Sequence, residues 1–78
     1  MTAEGLASIT NRKWVRLQWL DLSYNKIGDE GICHLQAFPY LQALFLFGCG
    51  ISGKGVQFLS QLEFPDLNVL GLGKNVDN

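Results

Sequence analysis

The sequence predicts an α/β fold in which a short strand, a turn and a helix recur about three times, and three registers sharing one period predict it. The motif Leu17-x-x-Leu20-x-Leu22-x-x-Asn25 returns as Leu41-x-x-Leu44-x-Leu46-x-x-Cys49 and as Leu67-x-x-Leu70-x-Leu72-x-x-Asn75. The leading leucines lie 24 and then 26 residues apart. A second register aligns Thr2-Ala3-Glu4-Gly5-Leu6 with Gly28-Asp29-Glu30-Gly31-Ile32 and with Ser52-Gly53-Lys54-Gly55-Val56. A third closes each unit, as Trp14-Val15-Arg16-Leu17, Phe38-Pro39-Tyr40-Leu41 and Phe64-Pro65-Asp66-Leu67.

Each unit follows from the spacing of its apolar residues. Leu20 and Leu22, Leu44 and Leu46, and Leu70 and Leu72 alternate at period two, so each pair points to one side of a short strand. After Asn25 and Cys49 the spacing turns helical: Ile32 and Leu35 are three apart, and Val56, Leu59 and Leu62 continue in steps of three. Thr2 and Ser52 are expected as helix N-caps, with Gly28 a weaker one. Pro39 and Pro65 lack a backbone donor and close the return segment before the next strand. Strands joined through helices run parallel, so three of them form a small inner sheet with the helices outside. A single coil cannot bury its own leucines, and stacking supplies the core.

This pattern resembles the leucine-rich repeat family over essentially the whole chain. The strand-turn-helix units are similar to its ribonuclease-inhibitor-like and cysteine-containing types, between which the period does not choose. The resemblance implies a solenoid, a right-handed β-α superhelix with the sheet on its concave side. It also implies that the Asn position points inward and bonds backbone groups of neighbouring coils. Asn25 and Asn75 match that position, and Cys49 is a family substitute there whose thiol is a weaker donor. The expected organisation is one domain over residues 1–78, with units at 1–16 (partial), 17–40, 41–66 and 67–78 (partial). Neither end shows a solenoid cap, so a fragment of a longer array is expected.

Composition narrows the function. Hydrophobic residues make up 47% of the 78 and charged residues 17%, against about a quarter charged in a typical soluble domain. That balance argues against disorder and for apolar surface that meets a partner. A net charge of −1 lacks the basic excess of a nucleic-acid footprint. The longest apolar run, Ala43 to Phe47, is far short of the roughly 20 residues that span a bilayer. Cys33 and Cys49 make no disulfide framework or metal motif. With no Asn-x-Ser/Thr site and no signal-peptide pattern at the start, an intracellular setting is expected.

Two stretches mimic chemistry. Gly48-Cys49-Gly50-Ile51-Ser52-Gly53-Lys54-Gly55 nearly spells a phosphate-binding loop, but Gly55 stands where a magnesium-ligating hydroxyl belongs. Gly55 also repeats Gly5 and Gly31, so the repeat accounts for the glycines. Gly71-Leu72-Gly73 reads as small residues that leave the sheet face open to an approaching molecule. His34, Cys33 and Glu30 lie within one helical turn, without the converging ligands a metal needs or the partner groups a nucleophile needs. Asp21 has no second carboxylate for acid-base work. No enzyme activity, cofactor or metal is expected.

The residues between the core leucines carry the functional expectation. Trp19, Asp21 and Ser23, then Ala43, Phe45 and Phe47, then Val69, Gly71 and Gly73 fall on the concave side, with Tyr24 near the first strand end. Aromatics clustered on one sheet face serve as interface anchors. Trp19, Asp21, Ser23, Tyr24, Phe45 and Phe47 are thus the expected contacts of a protein-interaction module. The alternative is a structural subunit or fragment packed permanently in a larger assembly or in a parent leucine-rich repeat protein, and the expected partner is another protein or a second copy met through uncapped ends.

Overall fold

The computed structural model describes residues 2–9 and 16–75. Trp14 and Val15 of the third register, and Asn78, lie outside the described residues. Helix α1 spans Ala3–Ile9, strand β1 Trp19–Asp21, helix α2 Gly28–Ile32, strand β2 Ala43–Phe45, helix α3 Gly53–Gln61 and strand β3 Val69–Gly71. The strands form one parallel sheet in the order β1-β2-β3. Trp19 pairs with Ala43 and Ala43 with Val69, Leu20 with Leu44 and Leu44 with Leu70, so the sheet is in register with the sequence repeat. α1 packs on α2 and α2 on α3.

Local chemistry sets the helix boundaries. The Thr2 hydroxyl accepts from Gly5 N–H at 3.2 Å, and the Ser52 hydroxyl accepts from Lys54 N–H at 3.3 Å. At the second helix the expectation fails: Gly28 is the first helical residue, and Ile27 before it supplies no side-chain cap. α2 is short and tightens into a 3₁₀ turn over Cys33–Ala37. In that winding residues three apart eclipse, which sets Leu35 and Phe38 on one side, facing the core. α3 ends as Leu62 turns extended, ahead of Pro65. Turns Phe38–Leu41 and Phe64–Leu67, each holding a proline, lead into β2 and β3.

Leu22, Leu44 and Leu46 are buried between sheet and helices with Leu6, Ile27, Ile32, Leu35, Phe38, Leu41, Ile51 and Leu59. Each fully buried leucine or isoleucine contributes about 1.5–3 kcal/mol of transfer free energy. Leu70 departs from the expectation of a core position, being 43% exposed, while Leu20 and Leu72 are half-buried. Leu70 points to the same side as Leu44, but no described helix follows β3 to cover it.

Candidate binding face of the sheet

Strand alternation puts Trp19 and Phe45 on the face opposite the core leucines, and Phe47 just beyond β2 continues the row. The Trp19 and Phe45 rings are tilted at 55° with centroids 5.4 Å apart. Phe45 and Phe47 stack at 6.2 Å. Both separations fall in the range where aromatic pairs attract beyond their buried area. Trp19 is 60% exposed, whereas Phe45 and Phe47 are half-buried. A side chain at Gly71 would stand 2.5 Å from the Phe47 ring, and one at Gly73 would stand 3.2 Å from it. The space expected to stay open over Gly71 is therefore filled by the chain's own Phe47. An aromatic row crosses all three strands, anchored at one end and exposed at the Trp19 end.

The polar residues of this face secure its geometry. Asp21 accepts from Ser23 N–H at 3.0 Å, and the backbone and side-chain hydrogen bonds of Ser23 hold its carboxyl below the ordinary range. The Ser23 hydroxyl in turn accepts from Phe47 N–H at 3.1 Å, fixing the backbone beneath that ring. Tyr24 adopts a left-handed backbone at φ 62°, donates its N–H to Phe47 O at 2.7 Å and is 68% exposed. Gly48 and Lys74, at the same repeat position, share that conformation at φ 60° and 63°. A Cβ at Gly48 would stand 2.7 Å from the Tyr24 ring. The glycine lets Tyr24 lie across the second coil.

Behind the strands, the Asn position ties coil to coil. Asn75 donates to Leu46 O at 2.7 Å and to Leu72 O at 2.8 Å, and it accepts from Cys49 N–H at 2.8 Å and Ile51 N–H at 3.1 Å. Asn25 donates to Leu22 O at 3.0 Å. Cys49 donates its thiol to Leu22 O of the preceding coil at 3.1 Å, and burial pushes that thiol's pKa up. A neutral thiol reproduces the donor half of the amide but accepts weakly. Ile27 N–H, the counterpart of Ile51 N–H, closes locally on Asn25 O at 2.9 Å instead.

The glycine-rich stretch is already occupied. Asp29 accepts from Ser52 N–H at 2.8 Å and also from the Ser52 hydroxyl. The hydroxyl bond first, and the backbone bond second, hold the Asp29 carboxyl below its ordinary range. A carboxylate thus sits over a backbone donor that a phosphate would use. Asp29 was not singled out from the sequence, although its repeat position is that of Gly53, next to Ser52. Cys33 is exposed and donates to Glu30 O at 3.2 Å. Among the described residues no three acidic, histidine or cysteine groups converge as a metal site, and no helix is long and apolar enough to cross a membrane.

A family model described as Leucine Rich repeat matches residues 17–32 and 39–60. The matched stretches contain β1 with all of α2, and β2 with most of α3. No curated protein and no solved structure matches the chain.

Proposed function

The chain is a leucine-rich repeat protein of two to three repeats, and from that premise we propose that it seats a protein partner on the aromatic face of its sheet. Repeats of this family are generally protein-interaction modules. We read the coils as successive turns of a right-handed β-α superhelix whose concave side is this face. The observation that carries the reading is Trp19. It is 60% exposed and is braced against Phe45, which is itself stacked on Phe47. A large ring held by its neighbours, free on its outer side, loses little conformational freedom on binding, and this is what makes a strong anchor. Asp21 adds an ionised acceptor beside it, and Tyr24 a second exposed ring.

Peptide display against the immobilised chain tests this. Ligands selected on the wild type are expected to lose about 30-fold in affinity for Trp19→Ala, the counterpart of a hot-spot loss of about 2 kcal/mol. Val56→Ser, on the helix side, is expected to leave binding intact. Ligands that bind Trp19→Ala as tightly as the wild type would place the interaction elsewhere.

A further inference from the structure

A single charge interrupts the apolar face of the sheet. Among its strand residues Trp19, Asp21, Ala43, Phe45, Val69 and Gly71, Asp21 alone is charged, and it is exposed. The groups that hold its carboxyl below the ordinary range are the hydrogen bonds of Ser23, with no cation among them. Ser23 is itself fixed by Phe47 N–H, which donates to its hydroxyl at 3.1 Å. Ser23 N–H takes one lone-pair direction of Asp21 Oδ1, and an ionised carboxylate offers about four. The carboxylate is therefore charged at neutral pH, held in one direction and only partly used.

The neighbouring rings leave this carboxylate uncovered. Phe45 and Phe47 both reach over β3, with ring carbons 3.1 Å and 2.5 Å from where a Cβ of Gly71 would stand. Trp19 and Asp21 are two residues apart on β1 and point the same way, about 6.5 Å from each other along the strand. The indole meets Phe45 at 55°, so that contact stacks no ring on the indole face. An exposed indole and a carboxylate at this spacing suit one kind of group, a planar cation. A guanidinium is attracted to the face of a tryptophan within about 6 Å of the ring centre. It also donates to carboxylate oxygens from a rigid fork of N–H groups.

We propose that the partner presents an arginine to this face, its guanidinium lying on the Trp19 indole and donating to the Asp21 carboxylate. This rests on the reading of the face as a protein-binding surface and adds the side chain that the surface selects. The arginine's apolar neighbours rest against Phe45 and against Val69, which is 45% exposed. A polyanion is disfavoured at the same place, because its phosphates would meet the Asp21 charge. A metal ion would find one carboxylate where it needs several oxygen ligands.

A random-sequence peptide library panned on the full chain, and on its Asp21→Asn and Trp19→Ala variants, tests the selection. Asparagine keeps an acceptor for Ser23 N–H and removes only the charge, so Asp21→Asn is expected to keep the circular dichroism spectrum. The wild-type pool is expected to be enriched in arginine beside apolar residues, and the Asp21→Asn pool to lose that enrichment. The tightest arginine-bearing peptide is then remade with citrulline, which keeps the shape of the side chain and drops its charge. Asp21→Asn in the chain, or citrulline in the peptide, is expected to weaken binding about tenfold. Both together are expected to cost no more than either alone, because each removes the same contact. Peptides that need Trp19 yet show no arginine enrichment, equal enrichment of lysine, or losses that add overturn the proposal and leave the aromatic face standing. A pool in which no peptide depends on Trp19 overturns both.

Discussion

Replacing Asn75 with alanine removes both halves of one amide at once. The Cys49 and Ile51 N–H groups lose an acceptor, and the Leu46 and Leu72 carbonyls lose a donor. An unpaired buried polar group costs about 1–3 kcal/mol. Asn75 is half-buried, so water re-pairs part of the set and the low end of that range applies. The expected loss is about 2–4 kcal/mol in total. Domains have about 0.05–0.15 kcal/mol of stability per residue, or about 4–12 kcal/mol at this length, so the variant forfeits a large share. With a urea slope of about 1 kcal/mol/M, the midpoint falls by about 2 M or more. Cys49→Ala is the internal comparison. It removes one thiol bond to Leu22 O and little volume, and is expected to cost about 1 kcal/mol. Equilibrium urea melts by circular dichroism give both values. A Cys49→Ala loss equal to or above that of Asn75→Ala would refute the account of the inter-coil bonds.

Three further outcomes are expected. Gly48→Ala costs about 1–2 kcal/mol for a left-handed backbone and a displaced Tyr24 ring, and part of that cost disappears in a Tyr24→Ala background. Equal cost in both backgrounds, in a double-mutant cycle of urea melts, would remove the Tyr24 contact from the explanation. Because its bonds from Ser52 depress the folded-state value of Asp29, its contribution is present above about pH 4 and is lost as pH falls through that lower value. Asp29→Asn should accordingly flatten the acid limb of Tm against pH, and an unchanged limb would count against the Ser52 contact. In native protein a thiol reagent should label the exposed Cys33 at once and the buried Cys49 only on unfolding; two fast thiols would contradict that burial.

Strand, helix and sheet order were legible because the repeat marks them three times with the same residue types. Leu22, Leu44 and Leu46 follow the period-two rule and are buried, whereas Leu70 follows it and is exposed, since the rule gives a side chain's direction and says nothing of what covers it. The same gap explains Gly71. Its face was readable from parity, but a glycine and a phenylalanine two residues past the neighbouring register meet only when ring size is added. Asp29 escaped notice for a different reason. Its partner Ser52 lies 23 residues away, and the two meet diagonally across coils. A search for identical positions passes over such a pair.

Each parallel pairing in this sheet closes a segment of 24 or 26 residues. Closure entropy grows as the logarithm of length, so the two closures differ by less than about 0.1 kcal/mol. Neither interface between coils is dearer to form than the other, and folding has no privileged starting pair imposed by chain connectivity. What separates them is position: β2 has a strand on each side, while β1 and β3 each have one described neighbour. Opening one of these two interfaces leaves the other intact, so within the described residues stability is distributed along one axis as nearest-neighbour increments.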